Sequence, residues 1–529
     1  MGTLWYGGTI YTMRQEGDIT EAVYTESGII KETGSLQTLE SKYSDNIEAR
    51  HNLQGKTMLP GFIDSHLHII GHGEKLIHLD LSAMHSPEQV KSALRERAKT
   101  LSPGEWLIGE GWNENQWEEP VIIPKEELDE ISPDNPMMLT RVCRHALLAN
   151  SQAIKKAGID EATPDPQGGV VVRDGNGQAT GLFLDTAQEY IKSVVPEISE
   201  QSLTSIVEVA VDDLYRYGIV GGHTEDLNYY GGFRKTYNAF KNAIDGNKRK
   251  FRAHLLVHHE VLKDMVEEGL DYHQGTVYIE MGAMKIFSDG ALGGRTAWLS
   301  EPYEDDPDNN GINIHTQENL ELLVKNAREH GMPVAVHAIG DKAVEAVVSA
   351  LKKNPLYNGR RDRIIHAQLV NDSLLDSLQE LDVVLDIQPT FVASDFPWII
   401  DRIGTERLEY AYAWKTFLQR DIACAGGSDA PIESVDPLLG IEAAVWRKSS
   451  VDGKSYTESE KLSMYEAVSL YTKGSAYAAC HETEQGIIEQ GFTADFTILN
   501  KDLFKIDADD FDSVKVETTV VGEDIMYQR

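Results

Sequence analysis

The sequence predicts an α/β protein built around a (β/α)8 TIM barrel, with a small β-sandwich made from both chain ends and an inserted α+β subdomain. Three observations favour this architecture. Helix and strand patterns alternate regularly after residue 203, short glycine-punctuated strands occur at both ends, and the stretch between them fits neither pattern. The predicted boundaries are 1–57 and 485–529 for the sandwich, 58–71 and 200–484 for the barrel, and 72–199 for the insertion.

The two chain ends share one pattern of short strands separated by glycine. It begins with Thr9–Met13 and Ala22–Thr25 and returns at Ala494–Leu499 and Thr518–Val521, without helical periodicity. Neither end has enough strands to bury an apolar face alone. We therefore expect the two ends to pair into one module.

Residues 72–199 read as an insertion because a single connection within a barrel is usually much shorter. Ser86 and Pro87 open a helix there, as a capping residue and a first-turn proline. A Pro/Gly-rich section at 163–169 separates further strand-like runs. We expect this segment to form a subdomain that covers the substrate.

The regular part of the chain supplies the barrel. Helical stripes precede seven short apolar strands after residue 203, and the strand that carries His66 makes eight. Eight such units favour a closed parallel barrel, whose active site lies at the carboxyl ends of its strands. A doubly wound open sheet is the competing topology, but it usually carries a glycine-rich phosphate turn after its first strand, and this sequence has none there.

The charge of the chain limits its partners. Lys and Arg number 49 and Asp and Glu number 85, for a formal net charge of −36. A surface this negative repels nucleic acid and anionic membranes and disfavours a polyanionic substrate, although solubility alone also explains it. We expect a small-molecule substrate, no nucleic-acid or membrane partner, and a homodimer as one compatible assembly.

Cysteine usage and hydropathy indicate the compartment. Cys143, Cys424 and Cys480 are widely spaced with no CxxC pair, which argues against a disulfide framework and fits a reducing cytosol. No run approaches the ~18–20 apolar residues that span a bilayer. The first residues lack the basic and apolar regions of a leader peptide. We expect a soluble, cytoplasmic protein.

Two histidines end the first predicted barrel strand, in the run Pro60–His68. Side chains alternate along a strand, so His66 and His68 lie on one face. Imidazole is the commonest metal ligand in proteins, and two on one strand make half of a hydrolytic zinc-type site. A pair of hydrogen-bonded core histidines is the alternative.

Four more polar side chains fall on the same rim: Lys285 on strand four, His337 and His366 ending strands five and six, and Asp429 ending strand eight. A buried lysine loses hydration, which lowers its pKa and raises its neutral fraction. A neutral amine adds carbon dioxide to form a carbamate, an anionic ligand that can bridge two cations. A lysine that simply reaches solvent is the alternative, which we disfavour beside four histidines and an aspartate.

The order of these residues resembles the amidohydrolase superfamily, and the surrounding motifs are similar to its amidohydrolase-3 branch, which contains N-substituted formamide deformylase. The matching motifs are Pro60–His68, Gly109–Trp112, Lys285–Gly290, Val336–Asp341, His366–Gln368 and Gly427–Pro431. The resemblance implies that His66, His68 and Asp429 hold one divalent metal, His337 and His366 hold a second, and carbamylated Lys285 bridges them. A single-metal variant stays open.

The resemblance also implies a metal-dependent hydrolase of carbon–nitrogen bonds other than peptide bonds, such as those of N-substituted formamides, with zinc as the expected metal. The metal would lower the pKa of its water to about 7, and Asp429 is the catalytic residue expected to move the proton to the leaving nitrogen. Expected substrate contacts are Trp112, Trp117, Arg141, His145, Gln388 and Asp395. A barrel esterase, lactonase or phosphotriesterase, or a non-catalytic metal-binding scaffold, are the alternatives.

Overall fold

The computed structural model of this chain describes residues 1–529 apart from 115, 116, 119, 120, 142–145, 167 and 358. The chain divides into two compact units, residues 1–71 with 200–529, and residues 72–199. Among the described residues, no helix is both long enough and apolar enough to cross a membrane.

Strands from both chain ends join one eight-stranded sheet in the first unit. They are β1 (Gly2–Tyr11), β2 (Ile19–Glu26), β3 (Ile29–Gly34), β4 (Ile47–Asn52), β5 (Thr57–Pro60), β20 (Phe496–Leu499), β21 (Val516–Val521) and β22 (Asp524–Gln528). The order is β22-β21-β20-β5-β1-β2-β3, with β4 paired to β1. The ends meet in the antiparallel β20–β5 ladder, where Phe496 pairs with Pro60. Trp5, Ile10 and Val520 belong to the buried apolar cluster of this sheet.

The barrel sheet of the first unit contains eight parallel strands. They are β6 (Phe62–Leu67), β13 (Ile219–Thr224), β14 (Arg252–His258), β15 (Ile279–Phe287), β16 (Val334–Ala338), β17 (Asp362–His366), β18 (Val383–Ile387) and β19 (Ala423–Gly426), and each pairs with the next. The Asp429 amide donates to His66 O at 2.7 Å and the His68 amide to Ala430 O at 2.8 Å, so the segment after β19 reaches β6. The predicted barrel is confirmed.

Helices connect these strands, and two of the helix ends show a clear local signal in the sequence. Thr316 caps a helix through a 3.3 Å bond from the Asn319 amide, and Gly218, with φ of 78°, ends the helical stretch before β13. The helices of the first unit are α1 (Leu36–Lys42), α2 (Ile69–Ile77, which crosses the boundary), α7 (Glu200–Leu214), α8 (Phe233–Ala243), α9 (Leu262–Glu267), α10 (Gln317–Glu329), α11 (Asp341–Lys353), α12 (Asp372–Gln379), α13 (Thr390–Asp395), α14 (Ile399–Ile403), α15 (Trp414–Gln419), α16 (Pro437–Trp446), α17 (Met464–Ser469) and α18 (Ser475–Ala478).

The second unit is an α+β structure with its own apolar cores. It contains β7 (Leu79–Asp80), α3 (Pro87–Ala98), β8 (Leu107–Trp112), α4 (Lys125–Ile131), β9 (Met137–Arg141), β10 (Ala146–Ala149), α5 (Ser151–Lys156), β11 (Gly169–Arg173), β12 (Ala179–Asp185) and α6 (Glu189–Lys192). Its sheet has the order β11-β12-β10-β9-β8-β7. Ser86 caps α3 as predicted, accepting a 3.2 Å bond from the Gln89 amide.

Candidate functional site

Three ligand-type side chains converge at the carboxyl end of β6. His66 Nε2 and His68 Nε2 each lie 3.4 Å from the same oxygen, Asp429 Oδ1. Two ligands bonded to zinc at 2.0–2.1 Å with tetrahedral angles are about 3.4 Å apart, whereas good hydrogen bonds are shorter. The three residues therefore fit a divalent cation, and His68 Nδ1–H donates to Glu225 O at 2.8 Å, which leaves Nε2 as the ligand atom.

The local fold places Asp429 over the two histidines. The buried Asp64 carboxylate accepts bonds from the His66 amide at 3.0 Å and from Ser428 Oγ at 2.6 Å, so it ties β6 to the segment after β19. A Cβ at Gly427 would lie 2.6 Å from His66 N, so only glycine allows this approach. Burial raises the pKa of Asp64 to about 7. Asp429 itself has φ of 58°, a strained conformation typical of functional sites.

The second predicted pair of histidines lies beside the first. The rings of His337 and His366 are 4.6 Å apart, and the His366 ring is 5.7 Å from that of His66. His366 Nδ1–H donates to Gln388 Oε1 at 2.7 Å and His337 Nε2–H donates to Gly290 O at 3.0 Å. Each imidazole is thus fixed in one tautomer and keeps a lone pair on its other nitrogen.

Lys285 completes the set from β15. Its side chain is fully buried, with Nζ 3.4 Å from His66 Nε2 and 4.6 Å from the centre of the Phe287 ring. Burial lowers the pKa of Lys285 to about 8, against the charges of Glu225 and Asp429, which favour the protonated form. The neutral amine needed for a carbamate is therefore more accessible than in an exposed lysine. We name His66, His68, Lys285, His337, His366 and Asp429 the carboxyl-end cluster.

The electrostatics of the carboxyl-end cluster favour a bound cation. Burial lowers the pKa of His66 and His337 well below the usual range and that of His366 to about 4, so all three are neutral, as ligands must be. Burial also opposes protonation of His68, but the hydrogen bond and charge of Asp429 raise its pKa to about 9. The same negative potential that holds a proton on His68 attracts a divalent cation.

Two predicted substrate residues lie in the first unit. Gln388 is buried and uses its amide to orient His366, with Nε2 donating to Asp386 O at 2.8 Å. Asp395, on α13, accepts a hydrogen bond from the Tyr412 hydroxyl, and burial raises its pKa to about 7. Direct contact of either residue with a substrate stays a prediction.

The remaining predicted substrate residues belong to the second unit. The indole N–H groups of Trp112 and Trp117 donate to Leu139 O at 3.0 Å and to Met84 O at 2.9 Å, within the apolar core. Arg141 Nε forms an ion pair with Glu114 at 2.8 Å. His145 lies outside the described residues. For these residues too, substrate contact stays a prediction.

Sequence reasoning missed two buried groups that support the site. Arg363 Nε donates to Asp386 Oδ2 at 2.8 Å, and Nη2 donates to Ser65 O at 2.6 Å. A buried ion pair is thus hydrogen-bonded to β6 at the residue before His66. The Asp289 carboxylate accepts bonds from the amides of Ile339 and Gly340 at 3.0 and 2.9 Å, which joins the loops after β15 and β16. Asp289 follows Lys285 closely in sequence, which is a usable signal, whereas Arg363 does not stand at the carboxyl end of its predicted strand and was not singled out.

Comparison with known proteins places this geometry in context. The chain matches the model of the Amidohydrolase family over residues 51–527. A Bacillus subtilis (strain 168) protein named amidohydrolase YtcJ is 51% identical over 531 residues, spanning 100% of both chains. An Arthrobacter pascens protein named N-substituted formamide deformylase is 23% identical over 538 residues, 98% of this chain and 97% of that one. An uncharacterized metal-dependent hydrolase from Pyrococcus horikoshii has a crystal structure that superposes with a TM-score of 0.82 at 28% identity, covering 96% of this chain and 99% of that chain.

Proposed function

This chain belongs to the amidohydrolase family, and we propose that it hydrolyses the carbon–nitrogen bond of a small neutral amide-type substrate, with N-substituted formamides as the class. The observation that carries the proposal is the convergence of His66 and His68 on Asp429 Oδ1 at 3.4 Å. A divalent cation held there, zinc in our proposal, supplies Lewis acidity that polarises a carbonyl and lowers the pKa of water.

Asp429 is the proposed catalytic base. Both imidazole contacts use its Oδ1, and we assign Oδ2 as the oxygen that accepts the proton. Although burial opposes ionisation, the hydrogen bond from His68 lowers the pKa of Asp429, so the carboxylate is charged at neutral pH. It takes a proton from the water that adds to the carbonyl carbon and passes that proton to the nitrogen as the carbon–nitrogen bond breaks.

Lys285 is the proposed link between the two histidine pairs. Its neutral amine would add one carbon dioxide and release one proton, which converts a buried cation into an anionic oxygen donor. The position of Nζ supports this role, since it lies 3.4 Å from His66 Nε2. An unmodified ammonium would repel a cation bound by the same histidine.

Charge and relatedness together support the substrate class. The net charge of −36 disfavours an anionic substrate. The Arthrobacter pascens relative is named for deformylation of N-substituted formamides and aligns with 98% of this chain. A neutral formamide satisfies both observations.

The test is a substrate panel on the full-length protein loaded with Zn²⁺. N-alkyl and N-aryl formamides are compared with the matching acetamides, and with esters and lactones that carry the same groups, by following formate, amine or alcohol release. We expect formamide turnover that chelation abolishes and that Asp429→Asn lowers about 10²- to 10⁴-fold. The exposed His330→Asn is the matched control. Turnover of esters or lactones alone, or of nothing in the panel, would overturn the proposal.

A further inference from the structure

A second group of metal-type ligands lies at the opposite end of the barrel. His254, His273, Glu280 and His481 each offer one ligand atom, and these atoms lie within 4.8 Å of one another. His254 is the third residue of β14 and Glu280 the second of β15, so both are at the amino ends of their strands. Glu280 precedes Lys285 by five residues, on the order of 15 Å along an extended strand. We name these four residues the amino-end cluster.

We propose that the amino-end cluster is a second, structural Zn²⁺ site, separate from the hydrolytic site. Three imidazoles and one carboxylate form a donor set that suits zinc. The proposal is independent of the reaction assigned to the carboxyl-end cluster, because the two clusters share no residue.

The polar atoms of the amino-end cluster face one another rather than solvent. Glu280 Oε1 lies 2.6 Å from His254 Nδ1 and 2.7 Å from His481 Nε2. His254 is 3% exposed, and within the described residues its Nε2 has no hydrogen-bond partner. A Cβ at Gly282 would lie 2.5 Å from that Nε2. Of the two ring nitrogens of His254, Nδ1 therefore faces the cluster. A cation would replace the protons in the hydrogen bonds from His254 Nδ1 and His481 Nε2 to Glu280.

The fourth ligand is oriented by the backbone. His273 Nε2 is paired with Ala479 O at 3.0 Å, which leaves Nδ1 as its lone-pair nitrogen. The His273 ring is 4.9 Å from that of His481 and 6.0 Å from that of His254. A hydrogen bond from the ring to a carbonyl is the arrangement that fixes the tautomer of metal-binding histidines.

A cavity of about 210 Å³ borders the amino-end cluster, and its lining includes His254, Glu280 and His481, together with Glu484 and Gln485. His481 comes from the segment that leads out of the barrel toward β20, 201 residues from Glu280. A cation would therefore fasten this distant segment to β14 and β15, and would stabilise the folded state because the separated ligands do not form a site in the unfolded chain.

The experiment removes the hydrolytic site first. The full-length chain without a histidine tag is made as His66→Asn/His68→Asn, equilibrated with Zn²⁺, freed of excess metal by gel filtration and measured by plasma mass spectrometry. We expect about one Zn²⁺ per chain and a thermal midpoint raised by a few degrees when Zn²⁺ is added. Addition of His273→Asn and His481→Gln should remove both the ion and the shift, whereas addition of His330→Asn should remove neither.

A single substitution gives a test that does not depend on the multiple variant. His481→Gln keeps a hydrogen-bond donor for Glu280 but loses the imidazole ligand, so it should fold like the wild type and contain one Zn²⁺ fewer per chain. The amino-end cluster would be only a hydrogen-bonded network if the variant lacking His66 and His68 took up no Zn²⁺. Retention of the ion after loss of His273 and His481 would equally overturn the proposal.

Discussion

The two histidine clusters of the barrel contain the same kinds of side chain but hold them differently. In the carboxyl-end cluster, His68, His337 and His366 each bond outward to a carbonyl oxygen, and the nitrogens of His66 and His68 stand 3.4 Å from Asp429. In the amino-end cluster, Glu280 Oε1 is hydrogen-bonded directly to two imidazoles, at 2.6 and 2.7 Å. The first arrangement is already spaced for a cation, whereas the second must exchange hydrogen bonds for metal bonds.

The largest effect should come from removing one of the two histidines that lie 3.4 Å from Asp429 Oδ1. His66→Asn removes one ligand from the carboxyl-end cluster and should lower hydrolysis by more than about 10³-fold, since a Lewis acid lowers the activation barrier by several kcal/mol. The fold should survive, because Asp64 still joins β6 to the segment after β19 through Ser428. Turnover and Zn²⁺ content are measured together, with His330→Asn as control. Retained activity would contradict the assignment of His66.

The next effect tests Arg363, a buried residue outside both clusters whose charge acts on one histidine of each. Burial lowers the pKa of His66 and of His254, and the charge of Arg363 contributes at both residues. Arg363→Met would leave Asp386 buried without its partner, and loss of one partner of such a pair costs about 3–5 kcal/mol. The thermal unfolding midpoint should fall accordingly. The double variant Arg363→Met/Asp386→Leu should recover much of this loss, and no recovery would mean that the ion pair is not the cause.

These two predictions also show what the sequence could and could not reveal. The eight strands and the six residues of the carboxyl-end cluster were predictable because a parallel barrel brings all strand ends to one rim, so strand position alone gathers the ligands. The amino-end cluster was not predictable, because His273 lies on a loop and His481 follows the last barrel helix, with no spacing that relates them. Arg363 was missed because a charged residue in a strand is usually solvated, and only the structure shows that its Nε and Nη2 donate to Asp386 and to Ser65 O.

A smaller effect should follow from removing the hydrogen bond that orients His366. Gln388→Leu removes the Oε1 acceptor that fixes His366 Nδ1–H at 2.7 Å. Loss of such a supporting hydrogen bond typically costs 10- to 100-fold in metal affinity or activity, so we expect a fall of about that size. Gln388→Glu keeps the acceptor and should lose less. Metal titration together with kcat and KM separates this role from substrate contact, because loss of substrate binding alone would raise KM and leave metal affinity unchanged.

The smallest effect distinguishes the two clusters by their chemistry. The carboxyl-end cluster contains Lys285, whose carbamate requires carbon dioxide, whereas the four residues of the amino-end cluster include no lysine. Loading metal-free protein with Zn²⁺ in buffer containing bicarbonate should therefore add at most one ion per chain over loading in buffer depleted of carbon dioxide. Lys285→Ala should abolish that difference, and the variant lacking His66 and His68 should bind its Zn²⁺ equally in both buffers. Equal loading of the wild type in both buffers would leave Lys285 as an ordinary buried amine and the hydrolytic site with a single cation.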